Sequence, residues 1–230
     1  MNNIFYAIVV AGGSGTRMGA SVPKQFLNLG GKMILHASIE KLILAIPSIH
    51  IITVLPKDGI KVWKDYCLKA GFTYPQIIVE GGITRFHSVK NALERVPDGA
   101  IVAVHDGVRP LASTQLIARL FESMEENRAV IPVTPMTDTL KVLKREGDSL
   151  VQIDGASVDR SNIYGAQTPQ LFRAEDLKEA YNLPFDTSYT DDASVASAKK
   201  IPLTFILGER YNIKITTPQD LELAELLVSL

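Results

Sequence analysis

The chain has 230 residues, 46% hydrophobic and 21% charged, with a mean hydropathy of +0.12. That composition belongs to a globular protein and excludes a disordered one. A formal net charge of −1 excludes the broad basic surface with which proteins grip nucleic acid, so any anion site must be local.

From the N-terminus, "MNNIFYAIVVAGG" lacks both a basic leader and a cleavage site and reads as a first strand. No apolar run reaches the roughly 18 residues of a membrane span. Neither membrane nor nucleic acid is expected as a partner, and the expected compartment is the cytoplasm. Short apolar strands then alternate with amphipathic helices: "MILHASIEKLILAI", "IHIITVLP", "KVWKDYCLKAGF", "QIIVEG", "TRFHSVKNALERV", "AIVAVHDGVRP", "STQLIARLFESMEE" and "RAVIPVTP". This alternation predicts an α/β fold, a mostly parallel sheet with helices on both faces. Cys67, the only cysteine, permits no internal disulfide and reads as an inert core thiol suited to a reducing compartment.

After Pro135 the pattern breaks. "TLKVLKR" and "LVQID" flank "EGDS", which predicts a β-hairpin arm over about 137–157, of a kind that packs on a partner chain. Helices at "AEDLKEAY" and "ASVASAKK", strands at "LTFILG" and "YNIKIT", and a helix opening at Pro218 come after it. With no repeat or linker, residues 1–230 read as a single domain with one excursion.

The loop "VVAGGSGTRMGASVPKQF" leaves the first strand at the sheet edge where open α/β folds bind ligands. Gly12, Gly13 and Gly15 leave the backbone amides open to a phosphate, although a tight turn would also use glycine. Met18 stands where a dinucleotide fingerprint needs glycine, and no G-K-S/T is present at the interval a P-loop needs. Arg17 and Lys24 in the same loop point to a polyphosphate.

Further along, the paired glycines and Ser88 of "EGGITRFHSV" can read a base edge, while Arg85 and His87 read as surface groups. Asp106, in "HDGVRP", reads either as a Mg²⁺ ligand or as a buried cap paired with Arg109; His105 reads as structural. Arg160 and Thr168 come after the hairpin, and Thr190 precedes two aspartates at a helix start, where capping is the ordinary role. Lys214, between Ile213 and Ile215 in "NIKIT", calls for an anionic partner if it turns inward.

In chain order, "AGGSGTRMG", "PKQF", the "GG" with Arg85 and Ser88, "HDGVRP", Asp138 with Thr139, "VDRS", "QTPQLF", "TDDAS" and "NIKITTPQDL" resemble the cytidylyltransferases that activate sugar-alcohol phosphates. Within that group they most resemble the family acting on 2-C-methyl-D-erythritol 4-phosphate in non-mevalonate isoprenoid synthesis. The resemblance implies a Rossmann-like nucleotidyltransferase fold whose β-arm exchanges contacts in a homodimer. It implies that Ala11, Gly12, Gly13, Gly15, Gly82 and Ser88 hold CTP, that Arg17, Lys24 and Lys214 act at the reacting phosphates, and that Asp106 lies beside Mg²⁺ or another divalent cation. It implies further that Asp106, Arg109, Thr139, Arg160, Thr168 and Thr190 bind the acceptor. The family often has "HDAARP"; a glycine-containing version like the "HDGVRP" found here also occurs in ribitol 5-phosphate enzymes, which makes ribitol 5-phosphate the alternative acceptor.

Overall fold

A computed structural model of the chain describes residues 4–13 and 22–229. The elements in order are β1 (Phe5–Val10), β2 (Asn28–Leu29), β3 (Lys32–Met33), α1 (Ile34–Ala45), β4 (His50–Leu55), α2 (Lys57–Ala70), β5 (Gln76–Glu80), α3 (Arg85–Leu93), β6 (Ile101–Asp106), α4 (Thr114–Ser123) and β7 (Ala129–Pro135). The rest of the chain forms β8 (Leu143–Glu146), β9 (Ser149–Gln152), β10 (Tyr164–Ala166), β11 (Gln170–Arg173), α5 (Ala174–Ala180), α6 (Asp192–Ala198), β12 (Thr204–Leu207) and α7 (Pro218–Val228). Strands β5, β4, β1 and β6 run parallel and adjacent. Antiparallel β11 joins β6 to β7, while β10 and β12 also pair β7, the latter in parallel. The expected mostly parallel α/β sheet is therefore present.

The parallel strands read as near-continuous apolar runs because both of their faces are covered. Along β1, Ala7 and Val9 join one buried cluster with Leu35 and Trp63. Ile8, between them, joins the opposite one with Ile52, Val102 and Phe172. Strand alternation thus delivers neighbouring residues to two separate cores. The helices are closed by recognisable chemistry. Ser113 Oγ accepts from Leu116 N at 2.9 Å to open α4, Gly71 ends α2 at φ 64°, and Thr217 and Asp220 box the start of α7 behind Pro218.

Several features depart from the sequence-based expectation, including the short strands β2, β3 and β10, which no run announces. The end of "QTPQLF" opens β11 at Gln170, a strand that the polar residues around Pro169 conceal. "YNIKIT" is not a strand: its segment makes a single sheet-like bond, Ile215 N donating to Val108 O at 2.9 Å. The hairpin β8–β9 does form, apart from the main sheet, and all eight of its strand residues are exposed. No helix among the described residues is long and apolar enough to cross a membrane.

Phe172 is fully buried between the sheet and α5. Phe172→Ala should lower stability by about 3–5 kcal/mol, read as a reduced urea midpoint at unchanged slope. Cys67 is half-buried on α2, and burial pushes its thiol up despite its contact with Gln76. Its alkylation at neutral pH should be several-fold slower than that of free cysteine and should leave turnover intact.

Candidate active site

The carboxyl ends of β1, β4, β5 and β6 gather into one rim because their registers are nearly level. Val10 pairs with Val54 and with Asp106, and Leu55 with Glu80. Just past these ends, Ala11 N donates to Val54 O at 2.9 Å, Gly81 N to Leu55 O at 2.8 Å and Gly107 N to Val10 O at 2.9 Å. The glycine segments of β1, β5 and β6 therefore leave the same edge of the sheet, with β4 between β1 and β5, where an open α/β sheet forms its ligand crevice.

A cleft of about 490 Å³ opens over this rim, lined by Ala11, Gly12, Gly13, Lys24, Gly82 and Ser88 together with Lys214 and Asp106. Gly15 and Arg17 lie outside the described residues. Two positions on the cleft wall are sterically restricted. Ser88 Oγ accepts from Gly82 N at 3.0 Å while donating to Thr84 O at 2.9 Å, so the hydroxyl clamps the turn. A β-carbon at Gly82 would fall 2.4 Å from His87 Cβ, so only glycine fits there. Gln25, given no role of its own within "PKQF", is 1% exposed. Its Nε2 donates to Ala11 O at 2.8 Å and Gly13 O at 3.3 Å. By holding those carbonyls it fixes the conformation of the glycine segment.

A smaller lobe of about 230 Å³ adjoins the cleft and is lined by Arg109, Thr168, Thr190 and Asp191. Thr168 is buried, and its Oγ1 accepts from Asp106 N at 3.0 Å with His105 Nδ1 at 3.1 Å. His105 Nε2 also lies 3.2 Å from Arg109 O; its burial lowers the imidazole pKa to about 4, and it is the structural group expected. Thr139 and Arg160 line neither lobe. Both are exposed, and Arg160 Nη1 donates to Thr137 O at 2.6 Å.

Asp106 lies between the lobes with three cations around it. Lys214 Nζ is 2.9 Å from Oδ2, Arg109 Nε 3.5 Å from Oδ2, and Arg85 Nε 3.6 Å from Oδ1. Burial by itself would raise this carboxyl, but Arg85, Lys214 and Arg109 outweigh it and hold the group well below the usual carboxylate range. Lys214 thus has the anionic partner foreseen for it, although its side chain remains 40% exposed. The expected pairing of Asp106 with Arg109 is present and extends to the backbone, where Arg109 N donates to Asp106 O at 3.0 Å. Arg85 is not the surface group its sequence context suggests: its Nη2 reaches Asp192 Oδ2 at 2.6 Å, and Asp192 is fully buried.

The glycine of "HDGVRP" has a packing explanation. A β-carbon on Gly107 would meet Leu35 Cδ1 at 2.8 Å, Ala11 Cβ at 3.1 Å and Val9 Cγ1 at 3.2 Å. Leu35 is fully buried, so in this chain its bulk occupies the space an alanine at 107 would need.

The IspD family model, 2-C-methyl-D-erythritol 4-phosphate cytidylyltransferase, matches residues 5–229. A relative of that name from Phocaeicola vulgatus is 44% identical over 223 residues, covering 97% of this chain and 99% of its own. One from Porphyromonas gingivalis is 44% identical over 225 residues, with 97% of each covered. Among solved structures, 4-diphosphocytidyl-2C-methyl-D-erythritol synthase from Anaerococcus prevotii superposes with a TM-score of 0.78 at 28% identity, covering 99% of both chains. These relatives carry the methylerythritol name, which supports that acceptor over ribitol 5-phosphate. With a fold and a rim cleft of the kind such a reaction needs, and a family match running from the first strand to the last helix, the chain belongs to the 2-C-methyl-D-erythritol 4-phosphate cytidylyltransferase family.

Proposed function

We propose that the cleft and its side lobe carry out this family's transfer of CMP from CTP to 2-C-methyl-D-erythritol 4-phosphate, with CTP in the larger space and the acceptor in the smaller. The observation that carries the assignment is the meeting of the two spaces at Asp106 and Lys214, which line both. A phosphate oxygen of the acceptor attacks the α-phosphorus of CTP; the bond to the β-phosphate breaks and pyrophosphate leaves. Two anions must approach each other in line, so the protein's task is to position them and cancel their repulsion. The acceptor phosphate is already ionised near neutral pH, and no side chain need remove a proton.

The amides of Gly12 and Gly13 are suited to the triphosphate, beside Ala11, whose own amide is taken up by Val54 O, and the clamped Gly82–Ser88 turn to the base. Lys24 and Lys214 both line the cleft and supply positive charge to it. In the side lobe Arg109 and Thr190 would meet the acceptor, with Thr168 holding the Asp106 backbone. Thr139 and Arg160 sit on and beside the exposed arm, outside their own chain's cleft, so a role in acceptor binding is best served if the arm reaches the cleft of a second copy. Exposed Leu143, Leu150 and Val151 on that hairpin give such a homodimer an apolar surface.

A divalent cation belongs to the same reading. No group of three His, Cys, Asp or Glu side chains able to hold a metal occurs among the described residues. The chain instead offers Asp106 at the junction of the lobes, and one carboxylate suffices for Mg²⁺ when phosphates and water complete its shell. Asp106 would hold the ion only by giving up one of the cations that now face it, Lys214, Arg109 or Arg85, and the ion would supply charge neutralisation on the phosphates.

Lys24→Ala and Lys214→Ala should each lower kcat by about 10²- to 10³-fold while CTP affinity changes far less; single-turnover rates beside calorimetric binding separate the two, and a change confined to KM would refute the role. Pyrophosphate release with CTP should be much faster with 2-C-methyl-D-erythritol 4-phosphate than with ribitol 5-phosphate. The reverse order would overturn the acceptor.

A further inference from the structure

Asp106, Lys214 and Arg85 are the three side chains common to the cleft and the side lobe. Arg85 stands out among them because it starts α3, where the helix dipole disfavours a cation. Its guanidinium is placed there by two carboxylates from distant parts of the chain. Nη2 donates to Asp192 Oδ2 at 2.6 Å, and Nε lies 3.6 Å from Asp106 Oδ1. Asp192 is held from its other side, Tyr181 OH donating to Oδ1 at 2.7 Å.

The elements joined in this way serve different spaces. Arg85 opens the helix that carries Ser88, on the cleft side. Asp192 opens α6, and its neighbours Thr190 and Asp191 line the side lobe. Asp191 is fixed in turn by Gln170, whose Nε2 donates to Asp191 Oδ2 at 2.8 Å.

We propose that Arg85 is a positioning residue that sets the acceptor lobe against the nucleotide cleft, by bridging Asp106 to the buried Asp192 at the start of α6. This rests on the substrate assignment above. A planar guanidinium can address two carboxylates in different directions at once, whereas a single ammonium on a flexible stem cannot do so with the same geometry. Arg85 therefore sets distance and orientation as well as charge. A displacement of about 1 Å between reacting groups costs on the order of 10²-fold in rate.

The test compares Arg85→Lys with the parent in steady-state kinetics, calorimetric CTP binding and thermal unfolding. The expected result is a kcat reduced by about 10- to 100-fold, a raised acceptor KM and nearly unchanged CTP affinity. A purely structural role would lower the melting temperature and leave kcat and acceptor KM of the folded enzyme at parental values, and that result overturns the proposal. If Arg85→Lys does not fold, the pair Arg85→Met with Asp192→Asn removes both buried charges together, avoiding the uncompensated carboxylate that unfolds single variants. The same kinetic loss is expected of it, and parental kinetics would again overturn the proposal. A parent enzyme releasing no pyrophosphate would instead refute the substrate assignment, a failure distinct from that of any variant.

Discussion

The site depends on one buried carboxylate. Asp106 closes the central strand β6 with its backbone already committed to the sheet, and its charge is kept by Lys214, Arg109 and Arg85. An unpaired carboxylate there would be expelled or protonated. Paired, it gathers three cations from the start of α3, the turn after β6 and the segment before α7. Asp192 shares Arg85 with it, and Asp191 lies on the side lobe beside them, so the three cations are matched by three carboxylates and the charge there is held in pairs.

Much of this arrangement is legible in the sequence, for physical reasons. Runs such as "AIVVA" and "AIVAVHD" must be buried on both faces, so they announce parallel strands. Glycines directly behind them mark places where backbone has to approach a ligand or another loop closely. Gly82 is such a case, with no room for a β-carbon beside His87. Lys214 carries its own signal, a cation set between two isoleucines.

The parts that escape the sequence depend on contacts distant in the chain. β11 is a four-residue strand behind a proline, paired on both sides by strands that lie far earlier in the chain, and nothing local distinguishes it from a loop. Arg85 looks like any helix-surface arginine until Asp192, 107 residues on, is placed against it. One clue is available: a cation in the first turn of a helix is in the wrong place unless something anionic retains it. Gln25 falls inside the quoted "PKQF", but its role does not show there, since a buried amide holding two loop carbonyls has no periodicity or charge to betray it. Arg160 and Thr139 show the converse limit, because motif order puts them with the acceptor while the single chain keeps them on its exterior.

The contact between Gly107 and Leu35 bears on how such enzymes are sorted. A substitution at position 107 compared across relatives looks like a mark of substrate preference, because it sits one residue from Asp106. In this molecule that position trades volume with a leucine in the layer beneath the sheet rim. In this chain, a side chain at 107 would press on Leu35 in the interior before it altered anything a ligand could touch, so the glycine records how a gap is filled.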